Sequence, residues 1–235
     1  MRPSFVDVHS HVVPSGDDGA RTVEQGRELC REAARHGTRI LFATPHVWPH
    51  LMLDEERERE IRGAFARLAP QAGLELRLGF ELTPSRRLLG DDLRRYELDG
   101  TGAVLIELPF SGPADVFLEL VERAHAQGLR VIAAHPERTE AVLSEPGLAA
   151  EVAALGCLVQ VNATSLTGWD GPEIERLAWR VLEQGTASLV ASDGHRPARP
   201  RHLDEAYALA EQRLGPATRA LFDGSALGLD EAAAA

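Results

Sequence analysis

The chain has 235 residues, 44% of them hydrophobic and 26% charged, and a net charge of −11. That length, without a Pro/Gly/Ser-rich linker, bounds it to one domain around one sizeable core. The acidic balance argues against binding nucleic acid by bulk electrostatics, which needs concentrated Lys and Arg. No lysine occurs among its 25 basic residues, which excludes Walker-type phosphate loops, Schiff-base catalysis and carbamylated-lysine metal bridges together.

The chain runs from Met1 straight into a strand-like segment, with no basic or apolar leader. No apolar run reaches the length of a membrane span. Cys30 and Cys157 form no disulfide pattern and fit a reducing compartment, so the expected location is the cytoplasm.

The first predicted strand, FVDV, is followed by His9 and His11. Thr22, with Gln25 three residues on, makes a capping box for a helix that turns Leu29, Cys30, Ala33 and Ala34 inward and closes at Gly37. TRILFA is the second strand and leads to His46. Asp54 opens a charged helix with Ile61, Phe65 and Leu68 at helical spacing, and LELRLG, the third strand, runs to Glu81. A helix over 84–96 precedes AVLIEL, which reaches Glu107. A helix from Pro113 to near Gly128 precedes RVIAA and His135. Helices over 144–154 and 172–184 precede CLVQVN and ASLVAS, the latter leading to Asp193 and His195, and the segment after His202 is helical to about Phe222.

About seven strand-then-helix units imply parallel strands joined by right-handed crossovers, in an open sheet or a closed barrel. An open sheet would place functional residues at its switch point alone. Here they follow nearly every strand, which fits a barrel whose strand ends share one mouth. A ring of imidazoles and carboxylates there reads as a metal site. His9 and His11 sit two apart, as do Asp193 and His195. Such a donor count implies two or three ions, with Glu81 able to bridge a pair about 3.5–4 Å apart.

Spacing does not decide between Asp17 and Asp18 as donors, and His50 stays open. His36 and His125 lie in last helical turns, where a cation complements the dipole, and are read as structural; His202 is read as solvent-exposed. Arg138, three residues after His135, suits a phosphoryl oxygen or carboxylate; Arg196, Arg199 and Arg201 follow SDGH and can reach the same mouth. Trp48 is read as either a stacking platform or a cap on the rim. Neither cysteine has an Arg six positions on, and no Gly-x-Ser-x-Gly elbow occurs.

DVHSH, DDG, ATPH, the isolated Glu81, IELP, AHPER, QVNA and SDGH occur in the order and approximate spacing of the PHP (polymerase and histidinol phosphatase) superfamily. From about residue 6 to 222 the chain resembles the bacterial PHP-type protein-tyrosine phosphatases of capsular and extracellular polysaccharide biosynthesis. The resemblance implies a distorted (β/α)7 TIM-like barrel, the PHP fold, as one domain over 1–225. Residues 226–235 are expected to be a frayed tail. It further implies His9, His11, Glu81 and Asp193 around one ion. Glu81 would bridge to a second ion held by Glu107 and His135, with Asp18, His46 and His195 on the third. The metals would be manganese, with iron or zinc also compatible. Arg138 matches a phosphate-binding arginine, and Arg199 matches a second if one residue is deleted after SDGH.

The activity so implied is phosphotyrosine hydrolysis by metal-activated hydroxide, with Arg138, Arg199, Asp193 and His195 at the reacting phosphate. The partner would be a phosphotyrosine protein, such as an autophosphorylating tyrosine kinase of polysaccharide export. Two departures stand out. Thr139 replaces the usual Tyr after HPER, leaving the aromatic side of recognition open, and the Asn-Pro segment after LF is missing. The rival readings are a phosphatase for a small metabolite such as histidinol phosphate, a metal-dependent amidohydrolase, and a non-catalytic binding barrel. A missing bridging lysine weighs against the amidohydrolase, and Arg138 beside the donors weighs against the binding barrel.

Overall fold

The computed structural model describes residues 4–195 and 202–229. In chain order the first half carries β1 (Phe5–Ser10), α1 (Val23–Arg35), β2 (Thr38–Ala43), β3 (His46–Val47), α2 (Glu55–Leu68), β4 (Glu75–Leu78), β5 (Glu81–Leu82) and β6 (Ala103–Glu107). The second half carries α3 (Asp115–Ala126), β7 (Arg130–Ala134), α4 (Glu140–Ser144), α5 (Leu148–Ala154), β8 (Leu158–Asn162), α6 (Ala163–Leu166), α7 (Pro172–Glu183), β9 (Ala187–Ala191) and α8 (Asp204–Leu214).

All strand pairs are parallel, in two sheets ordered β1-β2-β4 and β3-β5-β6-β7-β8-β9. The division falls where two strands are interrupted. Thr44 and Pro45 separate β2 from β3, and Gly79 and Phe80 separate β4 from β5. Gly79 N donating to Ala43 O at 2.9 Å and Glu81 N to Pro45 O at 3.2 Å carry the pairing across both gaps. At the far edge β9 returns to β1 through the parallel bridge Ser10–Gly194, with Asp193 N donating to His9 O at 2.9 Å and His11 N to Gly194 O at 2.8 Å. Seven strand positions therefore form a ring, closed at its mouth by a short seam.

The strands read as continuous apolar runs because both their faces are covered. Val6, Val8, Ile40, Phe42, Leu105 and Ile132 pack with one another in one core cluster, while Phe5, Leu41, Val104 and Ile106 join the larger cluster that includes the helices. Between the pairs Asp7–Leu41 and Ser10–Ala43, β1 carries one residue more than β2. Such a bulge re-aims the side chains after it. Here His9 reaches Gln160 on β8, its Nδ1 3.0 Å from Oε1.

Three helical expectations change. Residues 84–96 form two 3-10 turns, Leu88–Gly90 and Leu93–Tyr96. Gly90 and the Asp91–Asp92 pair stop an α-helix there: the Asp92 carboxylate caps Arg94 N, and Asp91 accepts the Tyr96 hydroxyl at 2.5 Å. Pro146 divides the 144–154 segment, so α4 ends before it and α5 begins after Gly147. The last helix stops at Gly215, φ 85°, and Pro216–Leu221 continues as a 3-10 turn. Of the tail expected over 226–235, the described part, 226–229, packs against the inner core cluster. Leu227 is buried beside Val6 and Val8, and Arg130 Nη1 donates to Ala226 O at 2.8 Å.

Gly26 lets α1 cross the segment behind His11. A Cβ there would stand 2.2 Å from Val12 O and 3.0 Å from Leu68 Cδ2. Gly26→Ala is therefore expected to destabilise the fold by about 1–3 kcal/mol, despite a helix propensity favouring Ala by about 1 kcal/mol. A denaturant midpoint that rises instead would show that α1 can shift without cost.

Candidate metal centre

The strand ends bring nine predicted side chains toward the mouth, and two backbone bends aim the last of them. His135 (φ 34°) and Asp193 (φ 47°) are the only non-glycine residues with positive φ among the described residues. Such strained conformations concentrate at functional sites. The bend at His135 starts the 3-10 turn Pro136–Arg138, which swings Arg138 back so that its Nη1 donates to Asp193 Oδ2 at 2.8 Å.

Glu81, fully buried on β5, stands at the middle of the cluster. Its Oε1 lies 3.0 Å from His135 Nε2. Its Oε2 lies 3.0 Å from both His9 Nε2 and His46 Nδ1, and 3.3 Å from His11 Nε2. Asp193 Oδ1 lies 3.5 Å from the Nε2 atoms of both His9 and His11. Donor atoms gather within 4.8 Å in three overlapping groups: His9–Glu81–His135, His9–His11–Asp193 and His11–Asp18–His46–His195.

Asp17 and Asp18, equivalent by spacing, differ in place. Asp18 Oδ1 lies 3.2 Å from His195 Nε2 and 3.6 Å from His46 Nε2. Asp17 stands behind them, its Oδ2 accepting from His46 N at 3.0 Å and lying 3.6 Å from His11 Nδ1. Glu107 is buried next to this cluster but outside the three groups, and its Oε1 accepts the Thr83 hydroxyl. Arg199 lies outside the described residues, as do Arg196 and Arg201. Trp48 stacks on His46 with ring centroids 4.3 Å apart, and His50 stacks on Trp48 at 5.3 Å.

Several supporting residues lie outside the donor set read from the sequence, although Gln160 and Asn162 stand in QVNA and Glu137 in AHPER. Gln160 holds His9 Nδ1, which leaves Nε2 toward the cluster; its own Nε2 donates to Asn162 Oδ1, and Asn162 Nδ2 donates to Asp193 Oδ2, both at 2.8 Å. Such partners set the tautomer and orientation of metal-binding side chains. Arg57 ties three carbonyls, of Ser15, His46 and Leu51, around the Asp17 loop. Buried Glu137 accepts from Asn162 N and Ser165 Oγ, both at 2.9 Å, and pins the turn that carries Arg138. Thr139 is buried and caps α4, away from the opening. On the Arg138 side of the mouth the aromatic residue is Phe110, 45% exposed, 5.7 Å from the His135 ring and 5.6 Å from the Arg138 guanidinium. A hydrogen bond from Glu140 N to Phe110 O joins the two loops.

The electrostatics fit a place for cations. Burial would raise the carboxyls of Glu81 and Asp193, yet His46 and His9 beside the first and His9 and His11 beside the second hold both well below the usual range. Glu107 is pushed up to about 8 by burial and by the Glu81 charge next to it. Burial also depresses His135 and His195, keeping neutral the form of imidazole that binds metal. Glu81 Oε2, His11 Nδ1, His46 Nδ1 and His135 Nδ1 are buried without hydrogen-bond partners. Lone pairs converging at 3 Å without such geometry are what divalent ions would satisfy. The mixed nitrogen and oxygen donors, with no thiolate, suit Mn, Fe or Zn.

A parallel α/β ring with converging imidazole and carboxylate donors and an arginine at its mouth defines a PHP-type barrel with a candidate metal centre. Within that class, residues 5–223 match the family model for "Capsular polysaccharide synthesis, CpsB/CapC", and the chain belongs to that family. It is 30% identical to the tyrosine-protein phosphatase YwqE of Bacillus subtilis (strain 168) over 225 residues, covering 90% of this chain and 85% of that protein. It is 28% identical to the tyrosine-protein phosphatase CpsB of Streptococcus agalactiae, covering 86% and 88%. Among solved structures it superposes with a TM-score of 0.82, at 25% identity and covering 96% and 94%, on one described among YwqE from Bacillus subtilis and CpsB from Streptococcus pneumoniae, "unique metal-dependent tyrosine phosphatases". A histidinol phosphate phosphatase from Lactococcus lactis, at 14% identity and TM-score 0.52, shares the fold. No helix among the described residues is long and apolar enough to cross a membrane.

Proposed function

We propose that this chain is a cytoplasmic, metal-dependent phosphoric monoester hydrolase that removes phosphate from tyrosine in protein and so regulates capsular or extracellular polysaccharide synthesis. The observation that carries this is Arg138 held at Asp193, against three overlapping donor groups in one mouth. His9, His11, Glu81 and Asp193 would hold one ion, Glu81 with His135 and Glu107 a second, and Asp18, His46 and His195 a third, manganese being the favoured metal. When bound, the ions supply Lewis acidity and an activated water.

The chain's own groups do the rest. Arg138 can leave Asp193 to fork onto two phosphoryl oxygens, with Arg199 as a second arginine there. Asp193 and His195, at the end of β9, border the same phosphate. Glu107, buried beside Glu81, would complete the second set. A tyrosine leaving group needs little protonation, since its conjugate acid has a pKa of about 10. A cleft lined by Asp17, Arg21, His50, Arg59 and Arg87 opens beside the centre, which suits an extended peptide more than a small metabolite. A phosphotyrosine segment of an autophosphorylating kinase of polysaccharide export is the substrate this favours.

Activity on a panel tests the reading. Phosphotyrosine peptides should be hydrolysed with kcat/KM at least about ten-fold (1.4 kcal/mol) above histidinol phosphate and phosphoserine peptides, and chelation should abolish it. A preference for histidinol phosphate moves the chain to metabolite chemistry, and amide hydrolysis alone sinks the phosphatase assignment. Phe110, stacked over His135, is placed to flank the aryl ring. Phe110→Ala should raise KM for phosphotyrosine peptides about 3- to 10-fold, by the worth of one aromatic contact. A small alkyl phosphate should be unaffected, and equal losses on both would assign Phe110 to loop packing.

A further inference from the structure

Away from the mouth, the described residues hold one more group of metal-type donors: Glu32, His36 and His202, with donor atoms within 4.8 Å of one another. Glu32 and His36 lie four residues apart at the C-terminal end of α1, a spacing that puts both on one helix face. His202 approaches from just before α8. Asp204, in the first turn of α8, takes one ring with each oxygen: Oδ2 lies 2.7 Å from His36 Nδ1 and Oδ1 2.8 Å from His202 Nδ1. The two imidazoles stack at 4.0 Å, tilted by 14°.

A dipole role for His36 and a solvent role for His202 leave this arrangement unexplained. A partly exposed ion pair contributes little to stability, yet here one carboxylate orders two rings by the same nitrogen. Carboxylates that hold Nδ1 and leave Nε2 to a cation are the usual outer partners of metal-binding histidines. Donor atoms on a tetrahedral zinc stand about 3.4 Å apart, inside the 4.8 Å within which these three gather, so an ion would draw them together and turn the two stacked rings out of parallel. All three donor residues are partly exposed, which gives an ion a path in.

The position gives such a site a purpose. α1 follows β1 and α8 follows β9, the two strands joined at the barrel's short seam. Tyr207 of α8 already packs on Phe5 of β1, with ring centroids 5.4 Å apart. We propose that Glu32, His36 and His202, oriented by Asp204, form a second divalent-cation site of zinc-like preference that clamps α1 to the start of α8 across the seam. The clamp is independent of the chemistry at the mouth, though it braces the two strands that carry His9, His11, Asp193 and His195.

The test strips the purified protein, reloads it with Zn2+, dialyses it and counts equivalents. The wild type should carry one equivalent more than His36→Gln or His202→Gln. Zinc should raise its Tm by several degrees more than theirs, while Mn2+-supported aryl phosphate turnover stays within about two-fold. Asp204→Asn should weaken that equivalent by about 10- to 100-fold. Where a histidine variant fails to fold, Glu32→Gln, a shape-preserving change on α1, takes its place. Equal zinc equivalents and equal Tm shifts in the wild type and the folded variants would overturn the proposal.

Discussion

Glu81→Gln is expected to lower kcat/KM for an aryl phosphate by about 10³-fold or more, about 4 kcal/mol of transition-state stabilisation, even with Mn2+ restored in excess. The reason is geometric. One carboxylate oxygen faces His135 and the other faces His9, His11 and His46, so this single side chain joins donors on both sides of the cluster. Gln keeps the shape but presents one neutral oxygen and one N–H, which cannot bridge cations. Metal analysis of the variant should read at least one equivalent fewer than the wild type. Its far-UV circular dichroism should be unchanged, because Glu81 sits at the end of a two-residue strand whose backbone pairing with β3 and β6 does not use the side chain. A variant with full metal and full turnover would remove Glu81 from the centre.

What the sequence made legible was what depends on local pattern. Apolar runs closed by His or acid gave the strands and their mouth-facing ends, because a parallel strand buried on both faces must read that way. What it could not carry depends on partners far along the chain. Asp17 and Asp18 separate by the loop geometry that Arg57 imposes through three carbonyls. QVNA marks Gln160 and Asn162 as a motif, but the relay they form acts on residues more than 150 and 30 positions away, so the motif alone does not give their role. The left-handed backbone at His135 and Asp193 has no composition signal, since neither position is glycine. Phe110, on a neighbouring loop, places an aromatic ring beside His135 and Arg138, a proximity in space that no linear motif records. His36 and His202 read as unrelated in the sequence because 166 residues separate them and Asp204, which both contact, joins them only in space.

Arg138→Ala should cost about 10²–10³ in kcat, the typical worth of one preorganised donor to a developing oxyanion, with only a few-fold rise in KM. The split follows from where the guanidinium stands. In the resting structure it is engaged by Asp193, so binding substrate exchanges one anion for another and gains little, whereas charge gathered on the phosphoryl oxygens in the transition state gains a fork of two hydrogen bonds. Arg138→Lys tests that geometry, because it keeps the charge and loses the fork. It should recover less than a tenth of the lost rate. Metal content should not change in either variant, as arginine offers no donor atom. Should both variants instead lose metal together with activity, Arg138 would act by holding Asp193 in its strained turn and the phosphate would have to be gripped elsewhere.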